Sequence, residues 1–408
     1  MSQQLDFKNL LNLDNEFRPQ TEADWEFLAA ASQNLFRPKA PIEDDRLFQG
    51  RLKQIRDVLD VVYEDGAHAV IFGERGVGKT SLSNILEQRV VPLFSSVKCM
   101  KVQCSPEDDF YSLWCEALKE YNYDNTPMGD YIEKNRSLHS IFEIIGSLDQ
   151  SKYHLVIFDE FDQLKDKNTT ILMANLIKKF SNNVKNMTIL IVGVGDTLND
   201  LFAGHESIDR CCTQIRMQRM SSDELSLIID DRIPRLKMKM KEHTKKKIIK
   251  LSQGLPGYVH LLGQLSLRSA LDRKSLIIEE DDLKTALNEA LDKSDYRTRQ
   301  DYYKAVESPA KDNKYREALL ACALAKTNEL GMFFAGSVRE PYSLIRGREM
   351  QIANYATHLS EFCGTDRGPA LERSGKRKRY QYRFKNPLLQ PLVIMTGVRD
   401  GIIGIDQT

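Results

Sequence analysis

Gly73-Glu74-Arg75-Gly76-Val77-Gly78-Lys79-Thr80 is the stretch that decides the fold of this chain. It matches GxxxxGK[ST], follows the short apolar run Ala69 to Phe72, and opens a helix predicted over Ser81 to Gln88. Gly73, Gly76 and Gly78 let backbone N–H groups turn inward around an anion, and the helix N-terminus adds a positive dipole end. Lys79 then reaches toward the β and γ phosphates of a nucleoside triphosphate, and Thr80 toward magnesium. The candidate nucleotide-binding set is Gly73, Glu74, Arg75, Gly76, Val77, Gly78, Lys79, Thr80 and Ser81, with ATP and Mg2+ as the expected ligands. A glycine-rich turn that binds nothing is the plain alternative; a strand before it and a helix after it weigh against that.

Outward from the loop, the chain alternates strand and helix patterns. Leu52, Ile55, Val58, Leu59 and Val62 recur at helical spacing within Leu47 to Val62 and feed the first strand. Further β-branched runs lie at Val97 to Gln103, His154 to Phe158, Thr188 to Val194 and Thr213 to Met217. Strands separated by helices predict an α/β fold, a parallel sheet covered on both faces, with ligands at the carboxyl ends of its strands.

One of those strands, Leu155-Val156-Ile157-Phe158, ends in Asp159-Glu160. An apolar strand followed by two acids is common by itself. Beside a phosphate loop it reads as a Walker B element: Asp159 joins Thr80 in holding magnesium, and Glu160 polarises the attacking water. The pair predicts ATP hydrolysis with Glu160 and Lys79 as catalytic residues.

Whole-chain properties bound the rest. The 408 residues suit two or three domains, and 41% hydrophobic with 28% charged residues excludes a mostly disordered chain. Lys plus Arg and Asp plus Glu both number 58, so any nucleic-acid surface must be local. The seven cysteines show no CxxC spacing and read as buried thiols in a reducing compartment. The first 18 residues resemble no signal peptide, and no segment approaches the ~18 apolar residues of a membrane span. The expected address is cytoplasmic, with no membrane partner.

The expected domains are an N-terminal arm over 1–40, a P-loop core over 41–220, a helical lid over 221–295, a polar linker over 296–313 and a final unit over 314–408. The amphipathic patch from Trp25 to Phe36 reads as lead-in, not core. Ser221 and Glu224 form a capping-box pattern at the start of an all-helical lid, which Gly254 and Pro256 interrupt. In the final unit, a helix over Tyr315 to Lys326, a loop, a second helix over Arg348 to Phe362, and a hairpin from Ala370 to Phe384 have the order of a winged helix. The hairpin tip carries Lys376, Arg377, Lys378 and Arg379 among Arg373, Tyr380, Tyr382 and Arg383, a basic cluster suited to duplex DNA phosphates. A solvated turn that blunts a sheet edge is the alternative.

Leu47-Phe48-Gln49-Gly50-Arg51, the phosphate loop, the Asp159-Glu160 step, the run Ile191 to Asn199 and Gly254-Leu255-Pro256-Gly257 together resemble the AAA+ ATPases. Within them, the chain is most similar to the branch of origin-recognition initiators, transposition-regulator ATPases and STAND signalling NTPases, over about residues 36 to 275. The resemblance implies that Leu47 to Arg51 lie against adenine and that Asp196 or Thr197 occupies the sensor 1 position near the γ phosphate. It implies that Arg210 is an arginine finger acting in trans, which makes a homo-oligomer in the ATP state the expected assembly. At the sensor 2 position the usual arginine is missing, and His260 stands in the lid helix as a candidate nucleotide contact. Two functions stay open: a nucleotide-switched ATPase assembling on DNA, or a STAND-like regulator whose ATP state controls a protein effector.

Overall fold

The computed structural model describes residues 18–33, 35–38, 50–202, 206–308, 314–328, 330–376 and 379–408. Leu47 to Gln49, Arg377 and Lys378 therefore lie outside the described residues. The chain divides into two compact units, residues 41–218 and residues 1–40 with 219–408. Among the described residues, no helix is long and apolar enough to cross a membrane.

The 41–218 unit is built on a five-stranded parallel sheet. In spatial order its strands are Val97–Gln103, Tyr153–Asp159, Met187–Val194, His68–Gly73 and Cys212–Arg216. The first strand in the chain thus sits between the fourth and fifth, so the chain reverses its winding direction there and opens a crevice at the carboxyl end of His68–Gly73. Buried inner strands need near-continuous apolar sequence, and Ala69, Val70, Ile71, Leu155, Val156, Ile157 and Phe158 are all fully buried. On one side, Trp114 meets Phe158 and Phe180 edge to face at centroid distances of 5.4 and 6.1 Å.

The loop helix runs Lys79–Ile85 and passes directly into a π-helical turn over Leu86–Val90, so the segment expected as a helix to Gln88 is helical throughout and changes pitch after Ile85. The preceding helix, Leu52–Val62, starts after Arg51, which holds a left-handed φ of 64°. Between the second and third strands sit a small hairpin, Asn122–Tyr123 with Thr126–Pro127, and helices Met128–Lys134 and Leu138–Ser147.

The second unit departs from the sequence expectations at several places. Residues 1–40 do not all form a lead-in arm: helix Glu22–Ser32, capped by Thr21 and Asp24, buries Leu28 completely, and Phe36 is 1% exposed. Phe36 packs against Gly263, where a Cβ would come within 2.7 Å of the ring, and Arg232 Nε donates to the Leu35 carbonyl at 2.8 Å. The patch looked like a lead-in because its apolar partners lie far away along the chain.

The expected linker is likewise no linker over most of its length. Asp295 caps a helix over Tyr296–Val306, whose Tyr302, Ala305 and Val306 are buried at helical spacing beneath a charged face. The lid is also not purely helical, because Lys239–Met240 pairs in parallel with Ile277–Ile278.

The C-terminal elements run helix Lys314–Ala323, strand Phe333–Phe334, helix Arg339–Arg346, helix Ala356–Phe362, strand Leu371–Ser374, strand Gln381–Phe384 and helix Leu389–Arg399. The single helix expected over Arg348 to Phe362 is corrected to a 3-10 turn at Ile352–Asn354 followed by a short helix from Ala356. Its strands form a three-stranded antiparallel sheet. Lid and C-terminal elements share hydrogen bonds: Tyr258 donates to the Leu388 carbonyl at 2.6 Å, and Gln390 links Arg219, Gln253 and the Ala323 carbonyl.

Candidate nucleotide site

Gly73 ends the first strand where it meets its neighbour: a Cβ there would lie 2.2 Å from the Met217 carbonyl oxygen, which only glycine tolerates. Gly78 has a φ of 96°, and a Cβ on it would meet nothing within 4 Å. Its left-handed backbone, not crowding, selects glycine, and the space before it suits a phosphate at a helix N-terminus. Val77 is buried and anchors the loop, Glu74 and Ser81 are half-buried, and Arg75 is exposed. Arg51, itself 6% exposed, reaches from the preceding turn to the carbonyls of Val77 and Gln218 and ties the loop to the end of this unit.

Lys79 is 8% exposed and donates to the carbonyls of Gly73 at 3.0 Å and Glu74 at 2.9 Å. Burial pushes its ammonium down to about 8, against the nearby charges of Asp162 and Asp159, which favour the protonated form. An ammonium folded onto its own loop in this way is placed to exchange two carbonyls for phosphate oxygens.

Asp159 lies at the carboxyl end of its strand and is 1% exposed. Its Oδ1 accepts the Glu160 N–H at 2.9 Å and lies 3.5 Å from Thr80 Oγ1; its Oδ2 accepts Ser83 Oγ at 2.6 Å. Thr80 and Asp159 thus converge as hard oxygen donors, the set that suits magnesium. Glu160, just past the strand end, takes a left-handed φ of 57°, rare for a non-glycine. Gln103 Nε2 donates to Glu160 Oε2 at 3.0 Å.

The fourth strand ends beside the loop, with Val194 in register with Gly73. Beyond it, Asp200 Oδ2 accepts the N–H groups of Asp196 and Thr197 at 2.8 and 2.9 Å, so a carboxylate shapes the expected sensor turn. Asp162 Oδ1 accepts the Val194 N–H at 2.7 Å and stitches this strand end to the Asp159-Glu160 step. Arg210 is exposed, in the last turn of the 3-10 segment Glu206–Arg210.

Residues 63–202 match the family model described as an AAA domain. This segment is an AAA domain. The sites at Lys79, Thr80, Asp159 and Glu160 all lie within it.

Solved structures similar to this chain include the Aeropyrum pernix ORC2 protein in ADPNP-ADP complexes, at 16% identity and a TM-score of 0.49, covering 89% of this chain and 98% of that one. Cdc6p from Pyrobaculum aerophilum is similar at 14% identity and a TM-score of 0.43, covering 90% and 97%. The Thermotoga maritima RuvB Holliday junction branch migration motor is similar at 17% identity and a TM-score of 0.43, covering 78% and 97%. Among curated proteins, none matches the chain.

Outside the AAA domain, His260 is 3% exposed in the second unit, and its Nδ1 accepts the Arg37 N–H at 3.3 Å. Burial holds its imidazole down at about 3, so the ring is neutral and packs edge-on against Phe36. At the hairpin, Lys376 and Arg379 are exposed. Arg373 lies over the Tyr380 ring at 4.5 Å, Arg383 pairs with Glu372, and Tyr382 stacks on Phe333 in the core. Tyr382 and Arg383 therefore carry structural contacts, while Arg373, Lys376 and Arg379 are exposed.

Lys101, Gln103 and Asp162 carry contacts at this site that the sequence motifs did not mark. Their signal was two polar side chains at alternate positions near the end of a strand, and one acid two residues past Glu160. Only the strand pairing, with Gln103 opposite Asp159, turns that signal into a site.

Proposed function

We propose that this protein binds and hydrolyses ATP as a nucleotide-dependent switch and assembles on DNA through its C-terminal unit. The observation that carries it is that the two carboxylates have different partners. Asp159 Oδ1 lies beside Thr80 of the loop helix, whereas Glu160 accepts from Gln103. Loop N–H groups and Lys79 bind the triphosphate, Thr80 and Asp159 hold magnesium, and Glu160 orients and deprotonates the attacking water. Magnesium, when bound, supplies charge that neutralises the developing negative charge on the phosphoryl oxygens.

Slow turnover fits this arrangement. A base hydrogen-bonded away from the water must be released first, and the exposed Arg210 is suited to reach a second copy of the chain. Hydrolysis then requires assembly, and replacing Arg210 with Ala lowers it without weakening nucleotide binding.

The C-terminal order of helix, strand, two helices and a two-stranded hairpin, with Lys376 and Arg379 exposed at the tip, supports a winged helix that contacts duplex phosphates. A STAND-like regulator that controls a protein effector is the second reading. It draws on the short helix Ala356–Phe362, whose exposed Ala356, Thr357 and Ser360 carry no positive charge. Sizing the protein with ATP, ADP or no nucleotide, with and without duplex, separates the two. ATP-dependent assembly that DNA strengthens supports the switch on DNA; ATP-dependent assembly indifferent to DNA supports the regulator.

A further inference from the structure

Asp159 has a further partner besides those a magnesium ligand needs. Lys101 Nζ lies 3.3 Å from Asp159 Oδ2, the oxygen that also accepts Ser83, and it donates to Asn84 Oδ1. The Lys101 and Asp159 side chains are 10% and 2% exposed, so this is an ion pair out of solvent. Burying two charges costs more than their attraction commonly returns, and an apolar residue at 101 would pack as well at lower cost. A function for the charge explains why it is there.

Position 101 is two residues before Gln103 on the same strand, so both side chains leave the same face of the sheet. One strand thus serves each carboxylate separately: Gln103 meets Glu160 and Lys101 meets Asp159. Lys101 and Ser83 hold Oδ2, which leaves Oδ1 toward Thr80. The same ammonium neutralises a carboxylate that would otherwise repel a triphosphate whenever no metal lies between them.

We propose that Lys101 is a positioning residue that supplies Asp159 with a resident counter-charge, making nucleotide binding at this loop only weakly dependent on magnesium. The inference rests on the ATP–magnesium reading of the site. Its physical content is a coupling. Lys101 favours metal-free nucleotide by cancelling Asp159, and disfavours the metal by placing a positive charge near it. Both effects reduce the ratio of nucleotide Kd in EDTA to that in magnesium, and by linkage the same factor governs magnesium affinity with nucleotide bound.

The test measures that ratio for full-length protein with fluorescent ATP and ADP analogues, in wild type, K101M, K101Q and K101R. Removing one buried charge near a divalent site changes the ratio by roughly tenfold or more. The ratio is expected to rise by that factor in K101M and K101Q and to return toward wild type in K101R. Two neutral variants of different polarity guard against a packing defect in either, and thermal melts without nucleotide identify such a defect. A ratio unchanged or lowered in the folded neutral variants overturns the inference and leaves the ATP reading intact. No binding of either analogue to wild type, in either buffer, overturns the ATP reading and this inference with it.

Discussion

Gln103 Nε2 and Glu160 Oε2 are joined at 3.0 Å across the ends of two paired strands, one residue past the register pair Gln103 and Asp159. The proposed catalytic base is therefore engaged by an amide. Releasing it costs an exposed hydrogen bond, about 1.5 kcal/mol at most. Q103A is expected to raise basal ATP hydrolysis by roughly tenfold, while E160Q retains nucleotide and loses turnover. Steady-state phosphate release with parallel nucleotide titrations checks both, and unchanged turnover in Q103A would remove the restraint on Glu160.

Lys79 connects nucleotide affinity to pH. Burial lowers its pKa from 10.5 to about 8 in the nucleotide-free protein, while a bound triphosphate favours the protonated form. Above pH ~8, binding must therefore take up a proton, and affinity falls toward about tenfold per pH unit. Below pH ~8 the lysine is already charged and affinity is flat. Nucleotide Kd measured from pH ~7 to ~9.5 tests this. A K79R protein, whose guanidinium stays charged throughout, should lose the slope; a slope that persists there assigns it elsewhere.

Gly73 makes a structural prediction independent of any ligand. With the Met217 carbonyl 2.2 Å from where a Cβ would stand, G73A must push apart two paired strand ends. A destabilisation of about 1–3 kcal/mol is expected, read as a lower midpoint in thermal or urea unfolding without nucleotide. G78A should change nucleotide binding more than fold, since only its φ of 96° opposes a side chain.

The hairpin prediction separates charge from shape. Replacing both Lys376 and Arg379 with Ala removes two exposed cations from the tip. If each contacts a phosphate, the slope of log K against log salt should fall in magnitude by about 1.8. Fluorescence anisotropy on a duplex at several salt concentrations measures it, and an unaltered slope would take these two residues out of the interface.

The inner strands were readable because they are buried on both faces and therefore nearly continuously apolar, as Leu155 to Phe158 illustrate. The phosphate loop was readable because its constraint is local: three glycines, a lysine and a threonine at fixed spacing. What escaped depended on distant partners. Tyr302, Ala305 and Val306 had helical spacing, yet the charged residues around them read as linker until the segment was seen against the C-terminal helix. The stretch before Arg348 reads as a loop from sequence, yet it holds the helix Arg339–Arg346. Its Pro341 stands in the first turn, where a missing N–H is of no consequence. Lys101 and Gln103 could not be assigned to carboxylates far along the chain without knowing which strands are neighbours.

Phe36 seated against Gly263, with the Arg37 N–H on His260 Nδ1, has a consequence for how the chain matures. These contacts join segments 223 residues apart, and the whole AAA domain is strung between them. During synthesis the first helix leaves the ribosome long before the helix that will bury its apolar side, so Leu28 and Phe36 wait in water or in the grip of a chaperone. The contiguous 41–218 unit has all its strands in hand by then and can fold at once. The unit that flanks it in sequence can close only after the AAA domain and the helix carrying His260 and Gly263 have been made.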